Sequence, residues 1–185
     1  YDCNRPETLN DTYDSKVYRH YLATGIHADD INETLARTLH DHSMSDALHD
    51  FLDGYAEKDI VAVMGGHALS RRDKAYRQIV MVSKMLAEHG KLMVSGGGPG
   101  AMEATHLGAW LAGRSNDDVD AALSMLEPYE SYKEDSWLSS AYNVIEKFPQ
   151  ETYKSLGIPT WLYGHEPATP FATHIAKYFE NSLRE

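Results

Sequence analysis

The sequence predicts an α/β protein: a Rossmann-like parallel sheet flanked by helices, incomplete in this chain, with a helical N-terminal appendage. Three observations carry that expectation. Ile60-Val61-Ala62-Val63-Met64 and Lys91-Leu92-Met93-Val94 are short apolar runs that read as buried strands. A helix-length amphipathic segment separates them. The second run then enters another helix through Ser95-Gly96-Gly97-Gly98-Pro99-Gly100. Strands alternating with helices of this length imply a parallel sheet with right-handed crossovers.

The expected division is residues 1–56 as the appendage and 57–185 as the first part of the Rossmann-like domain. The first segment is polar and rich in His, Asp and Thr, with one helical stretch over 28–53. There Ile31, Leu35, Leu39, Ala47, Leu48, Phe51 and Leu52 form a stripe, Asp29 or Asp30 suits the cap, and Gly54 suits the end. After the strand at 60–64, a helix over 73–89 should turn Ala75, Ile79, Val82, Met85 and Leu86 inward, and Gly90 should end it. The strand at 91–94, the glycine loop and a helix over 100–112 follow. Helices are then expected at 117–126 and 137–148, a third strand at 159–164 and a last helix at 170–184. Three strands make a thin sheet with open edges, so more strands are expected from further sequence or a partner chain. A start at Tyr1 and a helix-like end without a following strand suggest part of something longer.

At 185 residues, 42% hydrophobic and 24% charged, the composition is that of one globular domain with or without an appendage. No apolar run approaches the ~20 residues of a membrane helix, and the first residues do not read as a secretory signal. The single cysteine, Cys3, precludes an internal disulfide framework and fits a cytoplasmic setting. A net charge of −11 argues against a nucleic-acid surface but not against a small phosphorylated ligand, whose local donors outweigh a distant, screened field.

Parallel sheets bind ligands at the carboxyl ends of their strands. That rule gathers Gly65-Gly66-His67, the loop from Ser95 to Gly100 and Gly164-His165 at one rim. Gly96, Gly97, Gly98 and Gly100 let a ligand approach the main chain. Pro99 suits a helix start, and the first-turn N–H groups with the helix dipole favour a phosphate. The plainer alternative is a tight turn whose glycines only allow close packing. The loop is not a Walker loop, since no Lys-Ser or Lys-Thr follows. The dinucleotide spacing also fails, which leaves a mononucleotide or sugar phosphate.

Arg71 and Arg72 suit a phosphate or a solvated loop, with solvation favoured for Arg72. His67 suits a ribose, a phosphate or a loop carbonyl. Glu103, in the first turn after the loop, either answers the dipole or orients a ribose. His40, His42 and His49 near Asp41 and Asp50 have poor metal spacing, and no metal site is expected. Tyr129, Tyr132, Trp137 and Tyr142 read as packing aromatics with stacking as the alternative.

Val61-Ala62-Val63-Met64-Gly65-Gly66-His67 and Val94 to Ala104, ending Gly100-Ala101-Met102-Glu103-Ala104, resemble the Lonely Guy (LOG), or lysine decarboxylase-like, family. The resemblance covers residues 58–185, and residues 1–56 resemble the helical extension of its larger bacterial nucleotide 5′-monophosphate nucleosidases. It implies hydrolysis of the N-glycosidic bond of a nucleoside monophosphate to free base and ribose 5-phosphate. It also implies dimers and no redox cofactor or metal. The family's second motif, Pro-Gly-Gly-x-Gly-Thr followed by a Glu, does not occur in these residues, so the expectation is half of an active site. The resemblance matches Arg184 to an Arg on the helix preceding that motif. Arg184 and Glu103 are thus the candidate catalytic residues, Arg184 and Arg71 on phosphate and Glu103 on ribose. A non-catalytic nucleotide-binding or sensor module is the alternative.

Overall fold

The computed structural model describes residues 6–164 and 167–180. After a 3-10 turn at Pro6–Asp11 come α1 (Tyr13–Thr24), α2 (Ile31–Leu52), β1 (Ile60–Val63), α3 (Lys74–Glu88) and β2 (Leu92–Ser95). Then follow α4 (Ala101–Trp110), α5 (Asn116–Leu126), α6 (Ser136–Lys147), β3 (Ser155–Gly157) and β4 (His174–Ile175). The four strands are parallel and lie in sequence order, with Ile60 opposite Leu92, Met93 opposite Ser155 and Leu156 opposite His174. Helices flank the sheet in a Rossmann-like α/β arrangement. Among the described residues no helix is long and apolar enough to cross a membrane.

Strand alternation sorts β2 between two layers. Leu92 and Val94 join Leu156 under the C-terminal part of α2, where Leu48 is buried and Met44, Phe51, Leu52 and Tyr55 pack around it. Met93 points the other way, toward Ala87, Ala109 and Ala112. Behind that layer α3, α4, α5 and α6 enclose Tyr76, Val80, Leu107, Leu111, Val119, Leu126 and Val144. Local caps start the helices: Thr12 for α1, Asp30 for α2, and a reciprocal Ser115–Asp118 capping box for α5.

Four sequence expectations change. The third strand lies at Ser155–Gly157 rather than at 159–164. Pro159 has no N–H for a ladder, and beyond it only Thr160 pairs, with Tyr178. Trp161 instead donates its indole N–H to Asp14 at 2.8 Å. The helix expected at 170–184 is not formed through residue 180, and the rest lies outside the described residues. The amides of Ala176 and Tyr178 donate to Gly157 and Pro159 carbonyls at 2.9 and 3.1 Å, so this segment pairs with the sheet as β4.

The inward face of α3 is Tyr76, Val80, Ser83 and Ala87, whereas Ala75, Val82 and Met85 are exposed. The cause lies on α4: Gly108 brings that helix so close that a Cβ there would stand 2.4 Å from the Val80 carbonyl oxygen. In α2 the stripe is buried only at its C-terminal end. Ile31, Leu35 and Leu39 are exposed because the inward face of that half of the helix is polar: Arg37 is buried against Tyr21 and Phe179, and His40 packs on Trp161 and Phe179.

Candidate functional site

Two loops leave the carboxyl ends of neighbouring strands and interlock. Gly65-Gly66-His67 follows β1, and Gly96 to Gly100 link β2 to α4. The Ala101 amide donates to the Gly66 carbonyl at 2.9 Å. A Cβ on Gly100 would stand 2.2 Å from that carbonyl oxygen, and one on Gly66 would stand 2.4 Å from the Ala101 Cβ. With φ of 71° at Gly66 and 70° at Gly100, packing and backbone both demand glycine at these positions.

Gly65 and Gly96 are under weaker constraint. A Cβ on Gly65 meets nothing within 4 Å, and one on Gly96 meets only the Met102 thioether at 2.8 Å. The close-packing account of the loop therefore covers some of its glycines and not others.

The start of α4 leaves main-chain donors unused. The Ala104 amide is the first to reach a helical carbonyl, that of Gly100 at 3.0 Å. The N–H groups of Gly98, Met102 and Glu103 have no acceptor among the described residues. Gly96, Gly98 and Met102 line a cleft of about 410 Å³ together with His67, Thr160 and Gly164. The expected rim thus assembles around Gly164, while His165 lies outside the described residues. On the far side of His67 a second cleft, about 320 Å³, runs past Gly100 to Tyr132 and Lys133. The His67 ring packs against the Tyr132 ring at 5.6 Å between centroids.

Arg71 and Glu103 come together beneath the two loops. Arg71 is 5% exposed and Glu103 0%. Arg71 Nε donates to Glu103 Oε2 at 2.9 Å and Nη2 donates to Oε1 at 2.5 Å, while the Tyr76 hydroxyl adds a bond to Oε2 at 2.8 Å. The remaining guanidinium N–H groups reach the carbonyls of Tyr129 and Trp137 and the Ser140 hydroxyl. All five donors of Arg71 are satisfied within the chain. Burial pulls the guanidinium down, and the Glu103 carboxylate overcomes it, leaving Arg71 above its ordinary value. Burial and the same carboxylate raise the Tyr76 phenol well above its own. The pair locks the residues after β1 to the start of α4.

Ser95 is also interior. At 2% exposure, its hydroxyl accepts the Gly97 N–H at 3.0 Å and lies 2.8 Å from His106 Nε2. His106, Tyr76 and Ser155 were not singled out from the sequence. The available signal was a His inside α4, a helix whose neighbours are almost all apolar or small, where a polar ring must find partners.

Arg184 lies outside the described residues. Arg72 is exposed and pairs with Glu130. His40 packs on the rings of Trp161 and Phe179 at 5.6 and 5.0 Å, rather than lying on a solvated face. Among the described residues no three His, Cys, Asp or Glu groups are placed to hold a metal ion. Another cleft, about 460 Å³, lies between the α1–α2 turn and Phe179. Its one buried cation, Arg37, is held by Glu33, Thr24 and the carbonyls of Gly25 and Ile26.

No protein-family model matches this chain, and no curated protein matches it.

Proposed function

We propose that this chain binds the phosphate of a nucleoside monophosphate or sugar phosphate at the glycine loop. We further propose that it serves a phosphoribohydrolase similar to the LOG family. The observation that carries the reading is the pair of unbonded amides at Gly98 and Met102, which line the cleft at the strand ends, with that of Glu103 in the same first helical turn. Main-chain N–H groups and the positive end of α4 suit a phosphate. His67 lines both clefts, which supports a contact with the sugar or the base.

In the reaction the resemblance suggests, the bond from ribose C1′ to the base nitrogen breaks. A water adds to C1′, and the base leaves with a proton. The oxocarbenium-like ribose needs a nearby carboxylate, and the water needs a general base. Both Glu103 oxygens are occupied by Arg71 and Tyr76. That observation favours the second reading, a nucleotide-binding module without turnover, for these residues acting alone.

Calorimetric titration with AMP and ribose 5-phosphate, with chromatographic assay of free base, tests both readings. Saturable binding with base release supports the hydrolase, and binding without release supports the module. No binding of either ligand, and no base release from any nucleoside monophosphate, would overturn the proposal.

A further inference from the structure

A fully buried imidazole lies under the glycine loop. His106, on α4, is 0% exposed, with Nε2 2.8 Å from the Ser95 hydroxyl and Nδ1 2.9 Å from the Ser155 hydroxyl. Burial holds the ring neutral, pushing its pKa down from 6.5 to about 3. A neutral imidazole has one donor and one acceptor nitrogen. With Nδ1–H given to Ser155, Nε2 accepts the Ser95 O–H and leaves the Ser95 lone pairs to the Gly97 N–H. In the other tautomer Nε2–H donates to Ser95 and the Ser155 hydroxyl donates to Nδ1, and a Ser95 lone pair still accepts the Gly97 N–H, so the bond to Gly97 is kept in both.

The far end of the chain of bonds is itself fixed. The Ser155 amide donates to Thr173 Oγ1 at 2.8 Å, and the Thr173 hydroxyl returns a bond to the Ser155 carbonyl at 2.9 Å. At the near end, the Gly97 carbonyl accepts the Thr169 amide at 2.8 Å. The relay therefore runs from β3 through α4 to the 96–97 peptide, and Thr169 holds the next peptide, the one that carries the Gly98 N–H.

We infer that His106 is a positioning residue of this site: through Ser95 it fixes the 96–97 peptide on one side of Gly97 and so, with Thr169 holding the peptide on the other side, aims the Gly98 N–H at a bound anion. The inference rests on the phosphate reading above. It assigns Ser95 a role through the main chain rather than through contact with ligand.

The test uses the intact chain, AMP as probe and the Gly97 backbone amide resonance as a readout that needs no ligand. His106→Gln keeps a polar group on the Nε2 side, toward Ser95, whereas His106→Asn keeps one on the Nδ1 side, toward Ser155. The Gln variant should retain the Gly97 resonance and bind AMP within about twofold of wild type. The Asn variant and Ser95→Ala should move that resonance, raise its hydrogen exchange at least about tenfold and weaken AMP binding at least about fivefold. A packing role alone would make Gln and Asn behave alike.

Equal losses in the Gln and Asn variants, or wild-type Gly97 protection in Asn and Ser95→Ala, overturn the inference. If a His106 variant fails to fold, Ser95→Ala decides. Its control is Thr105→Val, equally buried on α4 and bonded to the Ala101 carbonyl, which should leave Gly97 unchanged. A wild-type chain that binds no AMP counts against the proposed function, while the Gly97 readout still decides the relay.

Discussion

Replacing Glu103 by Ala removes the carboxylate bonded to Arg71 and leaves a guanidinium at 5% exposure with two N–H groups unpartnered. It also strands the Tyr76 hydroxyl, which donates to the same carboxylate. Breaking a buried ion pair from one side costs about 3–5 kcal/mol, because the remaining charge stays desolvated. For a domain of this size each kcal/mol lowers Tm by about 2–4 °C, so the expected fall is about 6–20 °C. Thermal and urea unfolding followed by circular dichroism measure it.

The double replacement Arg71→Met with Glu103→Leu removes both charges and should recover to within about 2 kcal/mol of wild type, since apolar pairs of similar volume substitute well for buried ion pairs. A fall below about 3 °C for Glu103→Ala would mean less than about 0.75–1.5 kcal/mol, and would refute a desolvated pair at this position.

Acid should destabilise the fold through His106, whose folded pKa of about 3 lies below the ordinary 6.5. The unfolded chain takes the proton first, so this stability is fully present above pH 6.5 and is lost as pH falls toward 3. At pH 5, one and a half units below 6.5, the loss is roughly 2 kcal/mol, measurable as the difference in urea stability between wild type and His106→Gln at pH 7 and pH 5. Gly100→Ala places a Cβ 2.2 Å from the Gly66 oxygen and forces a positive φ. It should cost about 2–4 kcal/mol, against about 1–2 for Gly65→Ala, which meets only the backbone penalty. Leu48→Ala should cost about 2–5 kcal/mol if α2 forms the second layer over the sheet. Leu39→Ala, on the same helix but 66% exposed, should stay within about 0.5 kcal/mol.

Local chemistry made much of the fold legible. The runs at 60–64 and 91–94, the capping residue Asp30, and the strand–glycine–helix passage act over a few residues. The helices they predict lie within a few residues of α2 through α6. The face of α3 was not legible, because that helix carries two plausible stripes. Ala75, Ile79, Val82 and Met85 are spaced for burial, and so are Tyr76, Val80, Ser83 and Ala87. Periodicity shows that a helix has faces, but the choice came from Gly108 on α4, where a missing side chain lets α3 approach.

β3 and β4 show the same limit. Their few pairings rest on carbonyls of Gly157 and Pro159 meeting amides about nineteen residues later, and no local propensity encodes such a meeting.

The sequence by itself determined that a parallel α/β sheet would form and that bare backbone would lie at its rim. Glycine conformational freedom and short-range hydrophobic pattern are local properties. Only the tertiary structure decided what surrounds that backbone. Arg71 and Glu103, 32 positions apart, meet as a buried pair, and His106 reaches Ser155 across 49. The reason is desolvation: the energy of these polar contacts depends on the burial around them, and burial is created only when distant segments pack.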